Sequence, residues 1–142
     1  MTETVRIPGI GSGADRGTVL VGLVDVGLLA ALVLLGQLSH GVNPLTEPLG
    51  ALETIAPFVL AWIVVAPVAG VYARETLSSP GTAVRVTAIG WLAAANVAFI
   101  LRASPWFDGG IAWAFPLVMS GLGIVLLVGW RLGYVIIGNR TR

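Results

Sequence analysis

The stretch from Gly17 to Gly41, GTVLVGLVDVGLLAALVLLGQLSHG, leaves few options for the chain that carries it. About 20 mostly apolar residues cross a bilayer as a helix. This run is that long, with one acid, Asp25, inside it and a polar exit at Gln37, Ser39 and His40. A carboxyl group within a spanning segment is costly enough to mark a functional position whose partner must be found elsewhere in the chain.

The remaining composition agrees with a lipid-solvated fold. Of 142 residues, 56% are hydrophobic and 11% charged, with a mean hydropathy of +0.93. A soluble chain of this size could not hide that much apolar surface. The absence of cysteine excludes disulfides, thiolate metal sites and a cysteine nucleophile. A net charge of +1 points to neither nucleic acid nor an acidic partner. The first apolar run does not read as a cleavable signal. Its flank carries Glu3 and Asp15 as well as Arg6 and Arg16, and the run is longer than a signal's apolar core.

Four spans are expected, at about 18–38, 52–72, 83–103 and 111–137, between a flexible tail over 1–16 and a short tail over 139–142. Glycines 9, 11, 13 and 17 superficially suggest a phosphate loop, but neither a preceding strand nor a following Lys-Ser/Thr supports one. Short linkers make consecutive helices antiparallel neighbours. Arginines 6, 16, 74, 85, 140 and 142 gather on one side, while Glu47, Glu53 and Asp108 occupy the other, with Arg102 closing span three. That bias puts both termini in the cytoplasm. The expected architecture is an all-α, up-down-up-down bundle of four transmembrane helices in the cell membrane.

Small residues at Gly90, Ala94 and Ala98, and at Gly129 and Gly133, are expected at helix contacts. Pro57 and Pro116 are read as lying in first helical turns, and Pro67 as a kink in span two. Trp106 and Trp113 suit an aromatic belt, Trp130 lies toward the inner interface, and Trp62 and Trp91 are read as packed in the interior.

Two constellations could carry chemistry. On a helical wheel Asp25 shares a face with Gly22, Leu29, Leu32, Gly36, Ser39 and His40. The corresponding face of span four holds Ser120, Ile124, Leu127, Arg131 and Tyr134. Asp25 and Arg131 each lie roughly 10 Å inside the cytoplasmic boundary at 1.5 Å rise per residue. They therefore reach one level on antiparallel helices and are expected to pair. The competing readings are an arginine snorkelling to headgroups and a protonated acid on a backbone carbonyl. The second constellation is an outer polar cluster of Gln37, Ser39, His40, Glu53 and Arg102, which Asn96 could extend inward; the alternative is ordinary anchoring at helix ends. No catalytic residue, metal ligand set or cofactor motif is evident, and a single His excludes multi-imidazole metal and haem sites within one chain.

The order Asp25, Gly36-Gln37-Leu38-Ser39-His40-Gly41, Ala56-Pro57-Phe58, Leu101-Arg102 and Gly129-Trp130-Arg131 resembles the prokaryotic membrane family catalogued as domain of unknown function 3054. Where members often carry Gly-Arg before the Ser-His element, this chain has Gly36-Gln37. The resemblance covers about residues 20–135, implies the four-span layout and an archaeal or actinobacterial source, and brings no mechanism with it. Three functions are then open. The first is transport of a solute or proton, with the lipid bilayer as surroundings and homo-oligomers implied by so few spans. The second is an accessory or scaffold subunit of a larger membrane complex. The third is an enzyme acting on lipid or quinone.

Overall fold

The computed structural model describes residues 16–107 and 114–141. Among them five helices and no strand occur: α1 Arg16–Ser39, α2 Pro48–Ala69, α3 Arg74–Ser78, α4 Pro80–Ala103 and α5 Phe115–Arg140. Helices α1, α2, α4 and α5 are long and apolar enough to cross a membrane. The expectations for the 1–15 stretch, for Asp108 and Trp113, for Arg142 and for the first residues of span four lie outside the described residues.

Several boundaries differ from expectation, each for a local reason. Helix α2 begins at Pro48, not near 52, because proline is tolerated in a first turn where its missing N–H has no helical acceptor. Pro57 is consequently interior and buried rather than in a first turn. Helix α4 starts likewise on Pro80 instead of 83, and Pro116 does stand in the first turn of α5. Helix α5 runs on through Arg140, so Asn139 and Arg140 belong to the helix and not to a tail.

Helices α1 and α2 end alike. Gly41 has φ +79° and Gly70 φ +85°, the left-handed conformation glycine adopts without steric cost. At each, two backbone N–H groups turn back onto the last helical carbonyls: Gly41 and Val42 onto Leu38 and Gln37, Gly70 and Val71 onto Pro67 and Ala66. This is the Schellman arrangement. The second reversal matters more. It ends α2 at Ala69, short of the expected 72, and folds residues 70–79, including α3, under the bundle. Val71 is wholly buried there, and the Thr76 hydroxyl donates to the Gly70 carbonyl at 2.7 Å.

Helix α4 is central. It packs along α2 and α5, while α1 lies mainly on α2 and touches α5. Its inner face carries Ala83, Thr87, Gly90, Trp91, Ala94, Ala95, Ala98 and Phe99, small residues letting backbones approach and aromatics filling what remains. Phe58, Phe99 and Phe115 meet edge-on with centroids 5.8–5.9 Å apart, a favoured ring geometry. Trp62 and Trp91 are buried, as expected, 6.2 Å apart. Gly90, Ala94 and Ala98 are at contacts as read from the sequence, but Gly129 and Gly133 are not: nothing lies within 4 Å of a Cβ built on either. The close approach on α5 is at Gly123, where a Cβ would stand 2.2 Å from the Trp91 ring.

Candidate functional site

Helix α1 buries only Val21, Asp25, Leu29 and Val33, one residue per turn. Helix α5 buries Met119, Gly123, Leu127, Arg131 and Val135 in the same rhythm. These stripes set Asp25 and Arg131 toward each other. Both side chains are fully buried, and Arg131 Nη2 donates to Asp25 Oδ2 in a direct ion pair. Neither snorkelling nor a carboxyl resting on a backbone carbonyl describes this geometry.

The pair sits in a network that sequence reading did not anticipate. Tyr72 Oη donates to Asp25 Oδ2 at 2.7 Å, and Trp130 Nε1 donates to Asp25 Oδ1 at 2.8 Å. Trp62 Nε1 donates in turn to Tyr72 Oη at 2.9 Å. Arg131 Nη1 donates to the Val71 carbonyl at 2.9 Å, and its guanidinium lies 5.3 Å from the Tyr72 ring centroid. Asp25 thus accepts from three donors on two other parts of the chain, the compensation that a buried carboxylate requires. Trp130 and Arg131 come from one turn of α5. Tyr72 and the Val71 carbonyl come from the reversal after Gly70. Within this network Arg131 Nε alone is buried without a partner among the described residues. The arrangement clamps α1, α5 and the 70–79 segment together at one end of the bundle. Three of the roughly four lone-pair sites of this carboxylate are thus engaged within the protein.

That end also carries the exposed arginines 16, 74, 85 and 140. At the opposite end, a pocket of about 700 Å³ lies among α1, α2, α5 and the C-terminus of α4. Five members of the expected polar cluster line it: Gln37, Ser39, His40, Glu53 and Arg102, joined by Glu47. The Arg102 guanidinium lies over the Phe115 ring, 4.8 Å from its centroid. Ser39 Oγ donates to the Gly36 carbonyl at 2.8 Å, and Gln37 Oε1 is buried without a partner among the described residues. Asn96 does not join them. It is exposed on the outer face of α4, and its amide donates to the Leu92 carbonyl one turn back, at 2.7 Å.

The family model described as "Protein of unknown function (DUF3054)" matches residues 22–134. The chain belongs to this family. The matched region spans both the Asp25–Arg131 clasp and the whole pocket between Leu32 and Leu122. No curated protein matches the chain, and no solved structure does. For this DUF3054 chain, then, function has to be argued from its own geometry.

Proposed function

We propose that this DUF3054 protein is a small multi-pass protein of the cell membrane, with both termini cytoplasmic, that receives a small molecule in the pocket opposite its arginine-rich end. The orientation rests on the arginines at 16, 74, 85 and 140, since basic residues collect on the cytoplasmic side. The observation that carries the binding role is the pocket itself. Its volume of about 700 Å³ falls in the range of small-ligand sites, and His40 from the turn after α1, Glu53 from α2 and Arg102 from α4 all line it. In this reading Asp25 and Arg131 hold the helices in register and do not lie on a solute path. Transport, if it follows binding, belongs to an assembly of chains, since four spans are few for a lone carrier.

The experiment is binding and flux in proteoliposomes across a panel of small polar and amphiphilic molecules, with His40→Ala and Glu53→Gln as pocket variants. The expected result is saturable binding that both variants weaken while the thermal melting point holds. A panel without a single binder would overturn the proposal.

A second reading, an accessory subunit of a larger membrane complex, is favoured by Asn96. An amide on the outer face of a spanning helix is costly in hydrocarbon and gains from a partner helix. Gentle detergent extraction followed by mass measurement tests it, and a clean monomer would count against it.

A further inference from the structure

The pocket is built in two tiers, and the tiers differ in chemistry. Its upper rim is polar, with His40, Glu47, Glu53 and Arg102. Its lower walls run about two turns into the bundle and are aliphatic: Leu32, Val33 and Leu35 on α1 face Val118, Met119 and Leu122 on α5. Leu35, Val118 and Leu122 are 64%, 53% and 50% exposed, so the slot between α1 and α5 reaches the flank of the bundle, where a membrane helix meets hydrocarbon. At the middle of the slot stands Gly36, with nothing within 4 Å of where its Cβ would be. The clasp closes α1 against α5 at the other end, so the gap between them is confined to this half.

A purely polar solute would leave the aliphatic walls unused, and a bare hydrocarbon would cover the polar rim at His40, Glu53 and Arg102 without offering it a hydrogen bond. The rim carries two carboxylates, Glu47 and Glu53, as well as the guanidinium of Arg102. An anionic head would meet the carboxylates and a cationic head the guanidinium. Building on the pocket reading above, we infer that the site takes a single-chain amphiphile with an uncharged, hydrogen-bonding head, entering sideways from the bilayer between α1 and α5. The head donates to Glu53 and accepts from Arg102, whose guanidinium lies over the Phe115 ring. The chain lies along Leu32, Gly36 and Leu122.

Because the chain has no cysteine, Ser39→Cys provides a unique thiol at the pocket rim for a small fluorophore. Labelled protein in nanodiscs is titrated with a monoacylglycerol bearing a nitroxide on its acyl chain. The expected result is saturable quenching at position 39 that unlabelled monoacylglycerol competes away. Quenching should be linear and non-saturable at the control Leu38→Cys, which is 54% exposed and outside the pocket lining. Gly36→Trp, at a lining position where an added Cβ meets nothing within 4 Å, should weaken the apparent affinity by about tenfold or more with an unchanged melting point. The same chain with a phosphate head should compete poorly. Non-saturable quenching at 39, alongside saturable binding of a chainless polar solute, would overturn the amphiphile assignment and leave the pocket reading standing. Failure of both ligand classes would remove both. Equal competition by the phosphate head would overturn the assignment of an uncharged head.

Discussion

At the scale of single residues, the clasp makes unequal demands on its members. Replacing Asp25 by Ala strands a buried guanidinium, and breaking a buried ion pair from one side costs about 3–5 kcal/mol. Replacing Tyr72 by Phe removes one of three donors to Asp25 and leaves the Trp62 N–H without its acceptor. The cost of unmaking such a buried bond is about 1–3 kcal/mol. Denaturant unfolding in mixed micelles should therefore rank Asp25→Ala well below Tyr72→Phe, and both below the parent. A Tyr72→Phe protein as stable as the parent would show that the Trp62–Tyr72–Asp25 chain of hydrogen bonds does not form.

At the scale of helices, contact between α4 and α5 depends on one glycine. A methyl group at position 123 would enter the Trp91 ring, which is itself fixed by donating to the Ser120 carbonyl at 3.1 Å. Overpacking of that kind costs about 1–3 kcal/mol. Gly123→Ala should lower the melting temperature clearly, whereas Gly133→Ala, with open space around it, should change it little. Equal effects of the two would contradict the packing of α5. The turn after α2 is a separate test. At φ +85° a side chain is strained, so Gly70→Ala should loosen the 70–79 segment and weaken the clasp through Tyr72 and Val71. Faster amide exchange in residues 70–79 would report it.

At the scale of the whole molecule, the clasp and the pocket occupy opposite ends, so stability and binding should separate. Exchanging the charges, Asp25→Arg with Arg131→Asp, checks this division. Each single reversal should abolish accumulation in the membrane. The double reversal should restore it only in part: Coulomb attraction returns, but the Tyr72 and Trp130 donors then face a guanidinium and the Val71 carbonyl faces a carboxylate. Full restoration would mean that those flanking hydrogen bonds contribute nothing. Orientation is tested independently. Single cysteines at 43 and at 74 should react with an impermeant maleimide in intact cells at the first position only.

The linear order of residues determined the four apolar spans, the charge bias between their ends and the shared depth of Asp25 and Arg131. Length and depth follow from a fixed helical rise, so no partner need be known to read them. It also placed Ser39, His40, Glu53 and Arg102 at one end, which is where the pocket gathers them. Tertiary structure alone decided which way each helix faces. Periodicity relates the residues of one helix to each other, yet it does not say which angle meets a neighbour. Gly129 and Gly133 therefore looked as fit for contact as Gly123, and Asn96 as fit for the interior as Asp25. The donors around Asp25 were hidden for a second reason. Tyr72 reaches Asp25, and the Val71 carbonyl reaches Arg131, because the chain reverses at Gly70 and the segment after it packs against α4 and α5.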